Sequence, residues 1–420
     1  MLRWRLLLMV MAGMTTARNV SQPDVNPQCE GLPECEEPWL IHVVATGNND
    51  SIHHLWGIHG APSFLVVTTS LDTGLNVTWT DFIKFSPLSV TFDEKPIHIF
   101  GFSIPNLILF DDTDDSGTLD NSTEPYIVVP MTNFYWEIKE VFNESTRESA
   151  VLMETTKFQD KPLPMETKIS FQIAAYGLEG RSTVLPHLLR TPNSAQFDMV
   201  LDHLVLNLNT TDDEILMEVK ETTDISGFKK ARWAMDLIIF SSEPLNEEEK
   251  GIEFSTEKSL DDENTPGVFH LDQITTKLAR TTKQGGYMQW RPVSYLSSDR
   301  DINLSTDPNI DGNFTSLTEI SIALEESLAY AVFGDKLESA MTAQTKVSFG
   351  QKKDKFYAAN NYTTWTVGFG HGSPPKETFS TMVILVITLG LSIPALMFLI
   401  GCVVIASRKC RRSTDQLIVN

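Results

Sequence analysis

Apolar and polar residues alternate along much of the chain with the two-residue period that sends successive side chains to opposite faces of a strand. The pattern predicts strands over Trp39 to Ala45, Phe64 to Thr69, Leu75 to Trp79, Ile97 to Phe102, Ile169 to Tyr176, Met199 to Leu206, Glu214 to Val219 and Trp233 to Phe240. Turn-forming groups separate them, among them Gly60-Ala61-Pro62, Asp72-Thr73-Gly74, Ser86-Pro87, Pro162-Leu163-Pro164 and Gly285-Gly286. Many short strands joined by tight turns predict a mainly β protein, its antiparallel sheets packed as a sandwich with few helices. One segment has the helical period instead. Ser316-Leu317-Thr318-Glu319 reads as a capping box, and Leu317, Ile320, Leu324, Leu328 and Val332 follow on one stripe as far as Gly334. That predicts a core-covering helix near 317–333. Residues Thr191 to Ala195 suggest a boundary between two β-rich halves, 18–195 and 196–377.

Both ends break the alternation. Met1 to Arg5 is basic, Leu6 to Met14 is apolar, and Thr15 to Ala17 are small, which is the three-part pattern of a secretory signal over 1–17. Its apolar core is too short to span a bilayer. From Phe379 to Ser407 there is no Asp, Glu, Lys, Arg or His, so 378–407 is long enough to cross hydrocarbon as a helix. Pro394 lies inside it, which a lipid-embedded helix tolerates better than a soluble one. Arg408-Lys409-Cys410-Arg411-Arg412 follows as the positive flank that stays cytoplasmic, leaving 408–420 as a short tail. Signal and span together predict a single-pass type I membrane protein with its N-terminal body in a lumen.

Composition supports that topology. The 420 residues carry 55 acidic against 33 basic side chains, a formal charge of −22, which excludes nucleic acid as a partner because a phosphate backbone needs basic surface. Asn-X-Ser/Thr acceptors occur at Asn19, Asn49, Asn76, Asn121, Asn143, Asn209, Asn303, Asn313 and Asn361, all before the span. Each marks an expected glycan on a surface loop or strand end. Of four cysteines, Cys29 and Cys35 fall in the expected lumenal part, where oxidising conditions allow a disulfide; Cys402 and Cys410 fall at the cytoplasmic edge. So few cysteines do not make a disulfide scaffold, and stability must come from burial.

Three clusters offer candidate chemistry. Asp111-Asp112-Thr113-Asp114-Asp115-Ser116-Gly117 has the opening of a calcium loop, but the twelfth position is Thr123 where a bidentate glutamate is needed. A solvated acidic loop is the better expectation. His53-His54, with His42 and His59, lacks the firm ligand spacing of a zinc site, so histidines flanking a strand are expected. Asp261-Asp262-Glu263 and Asp272 offer carboxylates for glycoside hydrolysis without any sign that they flank a cleft. No nucleophile elbow, phosphate-binding loop or reactive-cysteine signature is present. The expectation is a protein that is not an enzyme, with no cofactor, metal or small-molecule substrate.

Several segments, in order, resemble the glycosylated lysosomal membrane protein family. They are Ile52-His53-His54-Leu55-Trp56 leading to Gly60-Ala61-Pro62, Gly180-Arg181 with Pro186-His187-Leu188-Leu189, and Ser259-Leu260-Asp261-Asp262-Glu263 with Pro266-Gly267-Val268-Phe269. Met288-Gln289-Trp290-Arg291-Pro292-Val293 and Pro394 to Leu399 in the span extend the likeness over nearly the whole chain. The resemblance implies a non-enzymatic accessory subunit of a multi-span lysosomal major-facilitator transporter that exports dipeptides. It further implies that the glycosylated domain shields the transporter, which lacks its own glycans, and that each stabilises the other. Two features depart from the family pattern. Vertebrate members carry further lumenal cysteines that this chain lacks, and their tails bear a Tyr-x-x-apolar sorting signal. Here Ser413 to Asn420 has no tyrosine; Leu417-Ile418 is similar to a dileucine signal, with Ser413 at its usual acidic position. A lumenal hydrolase and a cell-surface receptor or adhesion module remain the alternative functions, separable by turnover lost on changing Asp262 and by plasma-membrane staining.

Overall fold

The computed structural model describes residues 17–119, 126–159, 161–163, 167–204, 228–244, 251–261, 267–276, 285–310, 314, 322–337, 340–356, 361–376 and 381–417. It divides into two units, Met1–Glu257 with His270–Pro375, and Lys258–Phe269 with Lys376–Asn420.

Two large antiparallel sheets dominate the first unit. One is eleven-stranded, running Asn19–Val20, Leu40–Thr46, Asp50–Gly57, Ser63–Ser70, His98–Ser103, Ala231–Pro244, Ala340–Phe349 and Pro308–Ile310, with Asp24–Val25, Asn106–Asp111 and Tyr126–Pro130 off this path. The other is nine-stranded, running Phe134–Ser145, Glu148–Phe158, Lys168–Tyr176, Ser194–Asp202, Tyr362–His371, Gly286–Trp290, Gly267–Thr276 and Ile252–Asp261, with Lys161–Pro162 at one side. The alternation explains how they pack. Ile41, Val43, Ile52, Trp56, Phe64, Val66, Phe100 and Phe102 leave one face of the first sheet and meet Phe171, Phe197, Trp365 and Phe369 of the second in one buried cluster. Phe64 lies 4.6 Å from Phe197 between ring centroids, and Phe102 packs edge-on against Phe369 at 5.1 Å. The second is the edge-to-face geometry that aromatic quadrupoles favour.

The expected sandwich is therefore present, with a different division. Ala195 falls inside the strand Ser194–Asp202, and each sheet takes strands from both sides of it. The sheets thus do not follow the expected halves 18–195 and 196–377.

Residues of opposite parity form a second cluster on the outer face of the first sheet. Leu55, Leu65, Val67 and Phe240 are covered by the helical turns Trp79–Phe82 and Leu328–Phe333 and by the hairpin Leu75–Val77 and Val90–Phe92. The strand expected over Leu75 to Trp79 stops at Val77, because Trp79 opens a helical turn that seats Trp79 and Phe82 in this cluster. The helix expected near 317–333 is interrupted. Its described part is Ile322–Glu325 and Leu328–Phe333, separated where Ser327 adopts an extended backbone and bridges Ala61. Ser327 Oγ accepts from the Tyr330 N–H, so it caps the second helix instead of continuing the first. Leu324, Leu328 and Val332 are buried as the stripe requires, and Gly334 at φ +55° ends it. Ser316 to Ile320 and Glu214 to Val219 lie outside the described residues.

In the second unit, Thr381–Leu417 is one helix containing Pro394, and Ile384–Lys409 is long and apolar enough to cross a membrane. None of that window is buried by protein. The helix runs on past Ser407 through the basic flank to Leu417, as straight-chain Arg and Lys permit.

Candidate functional site

Five of the expected glycan acceptors fall on strands, turns and strand ends of the body. Asn19 lies in the strand Asn19–Val20, Asn49 in the turn before Asp50–Gly57, and Asn76 in Leu75–Val77. Asn303 sits in the 3-10 turn Ile302–Leu304, and Asn361 directly precedes Tyr362–His371. All five are exposed. Two are oriented by neighbours: Asn76 Nδ2 donates to Asp93 Oδ1 at 2.7 Å, and Asn303 Nδ2 donates to Asp301 Oδ1 at 2.9 Å. Asn143 belongs to the strand Phe134–Ser145, while Asn121, Asn209 and Asn313 lie outside the described residues.

Cys29 and Cys35 are joined by a disulfide with Cα atoms 5.7 Å apart. The buried side chain of Asn26 ties the loop to the first sheet. Its Nδ2 donates to Cys35 O at 3.1 Å, and its Oδ1 accepts from Trp39 N and Leu40 N, each at 3.0 Å. Cys402 is exposed and unbonded. At the other end of the chain, Leu417 is the last helical residue and Ile418 lies outside the described residues.

The acidic run corrects an expectation. Asp111, Asp112 and Asp115 are buried, and the run is a binding loop for an arginine rather than a solvated one. Arg232, with its side chain fully buried, meets Asp112 through Nε at 2.5 Å, Asp115 through Nη2 at 2.5 Å and Asp354 through Nη1 at 2.9 Å. Burial alone would lower the Arg232 pKa; its hydrogen bond and charge contacts with Asp354, joined by Asp112 and Asp115, raise it instead. Asp112 also accepts from Ser116 N and Gly117 N, at 2.7 and 3.0 Å, which shapes the turn. A second clamp pairs Arg300 with Asp198, at 2.9 and 2.5 Å through its two terminal nitrogens.

The four histidines do not converge. Residues 53 and 54 are adjacent in a strand and must face opposite ways. His42 Nε2 and His53 Nδ1 are 2.9 Å apart on the outer face, and His53 Nε2 reaches Thr69 Oγ1 at 3.1 Å. His54 enters the inter-sheet core, where neither ring nitrogen has a hydrogen-bond partner among the described residues. Burial is the main cause of all three depressed pKa values: His42 and His54 fall to about 3, each lowered further by neighbouring histidines, and His53 falls to about 4. Elsewhere His371 and His98 approach at 3.2 Å between Nδ1 atoms, and burial, then His98, lowers His371 to about 4. Among the described residues no three His, Cys, Asp or Glu are grouped to hold a metal.

The carboxylates Asp261, Asp262, Glu263 and Asp272 do not form a pair among the described residues. Asp262 and Glu263 lie outside the described residues, and Asp272 accepts from Thr256 Oγ1 at 2.7 Å. Burial raises the Asp272 pKa.

Separate from all these, His59 is held between Trp39 and Phe85, stacked at 4.1 and 4.3 Å between ring centroids. The sandwich forms the wall of a cleft of about 320 Å³ that also includes Glu37, Tyr135, Trp136 and Glu326. Sequence reasoning missed this site because its residues lie in five separate segments of the chain. The only local signal was Gly60, at φ +73°, where an added Cβ would stand 2.1 Å from Glu326 O.

These features define a class of protein: a β-sheet body with exposed glycan acceptors, on one chain with, among the described residues, a single helix long and apolar enough to cross a membrane. Residues 39–412 match the family described as Glycosylated lysosomal membrane protein, and the chain belongs to that family. It is 25% identical to Glycosylated lysosomal membrane protein B of Xenopus laevis over 381 residues, covering 88% of this chain and 86% of that protein. Relatives bearing the family name in Danio rerio and Mus musculus are also each 25% identical, over 88% and 90% of this chain and 84% and 86% of their own lengths.

Proposed function

We propose that this protein is a type I lysosomal membrane glycoprotein that works as a non-enzymatic accessory subunit. Its glycosylated body stabilises a lysosomal major-facilitator dipeptide transporter and shields it from proteolysis. The family match over 39–412 carries the reading. The five exposed acceptors support it, because glycans at such points keep proteases from the backbone beneath. In this orientation the body is lumenal, and Arg408 to Arg412 lie at the cytoplasmic face.

The test is purification of the full chain from lysosomal membranes in mild detergent, followed by mass spectrometry. A multi-span transporter should co-purify in stoichiometric amount, and its lysosomal half-life should shorten when this chain is removed. Recovery of the chain without any multi-span partner would refute the proposal.

A further inference from the structure

The cleft beside His59 has a chemical character of its own. It lies where the chain enters and leaves one end of the first sheet: Trp39 precedes Leu40–Thr46, His59 follows Asp50–Gly57, and Tyr135 and Trp136 open the second sheet's strand Phe134–Ser145. Besides His59, five aromatic residues line it, Trp39, Phe85, Phe134, Tyr135 and Trp136, together with two acidic residues, Glu37 and Glu326. No Lys or Arg is among the lining residues.

The wall is built and held. Phe85 sits at φ +55°, a conformation costly for a bulky residue, and its ring stacks on His59. His59 Nε2 lies 3.2 Å from Ile83 O, so this nitrogen carries the proton and donates. Burial lowers the His59 pKa against the opposing influence of Ile83 O and Glu37, which favours the neutral ring. Glu37 Oε2 accepts from Trp39 Nε1 at 3.3 Å, placing a carboxylate at the edge of the same sandwich.

Aromatic faces attract cations through their quadrupoles, and carboxylates add a charge of opposite sign. The protein has its own example close by, the Lys157 ammonium 5.7 Å over the Tyr135 ring. A cleft of about 320 Å³ accommodates the end of one long side chain rather than a folded segment.

We infer that this cleft receives the cationic side chain of an arginine or lysine presented by a lumenal loop of a partner polypeptide, with Glu37 and Glu326 balancing its charge. That the carrier is the transporter rests on the accessory-subunit reading; recognition of the cation does not.

The experiment uses the full-length glycosylated protein in detergent micelles, titrated calorimetrically with acetyl-Gly-Arg-Gly-amide and with its glutamine counterpart. The arginine peptide should bind saturably, the glutamine peptide about tenfold more weakly, and added salt should weaken only the former. Glu37→Gln alone should reduce affinity about threefold and Glu37→Gln with Glu326→Gln about tenfold, at unchanged melting temperature. Equal binding of the two peptides, no saturable binding, or full affinity in the single Glu37→Gln variant would overturn the inference. So would tighter binding of free arginine than of the capped peptide, which would point to a small molecule as occupant. A failed co-purification of the transporter would leave the peptide result intact, so the two readings fail separately.

Discussion

His54 makes the acid response of the body measurable. In the folded protein its ring is fully buried, faces Val43 and Val66 on the flanking strands, and has a pKa near 3. In the unfolded chain the same ring titrates near 6.5. Below pH 6.5 the unfolded state takes up a proton that the folded state refuses, so stability falls as pH falls, and the decline continues until the folded ring itself protonates near pH 3. Between pH 7.5 and pH 5 this one residue costs about 2 kcal/mol, from about 1.4 kcal/mol per pH unit below 6.5. His54→Leu keeps the volume nearly constant, removes two ring nitrogens with no hydrogen-bond partner among the described residues, and abolishes the titration. The assay is urea denaturation of the glycosylated protein followed by tryptophan emission, at pH 7.5 and at pH 5. The variant should lose about 2 kcal/mol less than the parent on acidification, a difference of a few degrees in melting temperature. Its remaining slope should reflect His42, His53 and His371, which titrate in the same direction. If parent and variant lose the same stability, the reasoning fails, because His54 would then exchange its proton alike in both states.

Replacing Arg232 with methionine strands Asp112, Asp115 and Asp354 around an uncharged side chain; denaturation at pH 7 should show a loss of about 3 to 5 kcal/mol. Cys35→Ser opens the short Cys29–Cys35 loop and should cost about 2 kcal/mol by the chain-entropy argument, with the same cost in the parent after reduction. Asn→Gln at Asn19, Asn49, Asn76, Asn303 or Asn361 should each raise electrophoretic mobility by one glycan in secretory cells while leaving the melting temperature nearly unchanged, since all five are exposed. An unshifted band identifies an unused acceptor.

Strand positions were legible because apolar and β-branched runs lie between turn-forming groups, even where, as in Ser63–Ser70, both faces are buried. Trp39 to Ala45 and Phe64 to Thr69 are shifted by only a residue or two in Leu40–Thr46 and Ser63–Ser70. Pairing was not legible. Nothing near His98–Ser103 indicates that its neighbour in the sheet is Ala231–Pro244. The same limit hid the partner of the acidic run: Asp112 looks like a solvated carboxylate until the fold brings Arg232 to it across the sheet. The helix was legible as a stripe, but the stripe did not reveal that Ser327 would turn its backbone toward Ala61. For the cleft, Trp39, His59, Phe85 and Trp136 are each ordinary apolar or strand-end residues locally, and only their meeting gives them a common chemistry.

The placement of Tyr362–His371 has a consequence for the order of assembly. This strand lies inside the second sheet, between Ser194–Asp202 and Gly286–Trp290, yet among the described residues it is the last strand before the apolar helix. Until synthesis reaches it, Ser194–Asp202 and Gly286–Trp290 have no neighbour to join them, and each presents an open edge. The sheet thus closes late, through contacts distant in sequence, the kind that form slowly. During biosynthesis the second sheet therefore stays half paired until this strand is made, shortly ahead of the apolar helix.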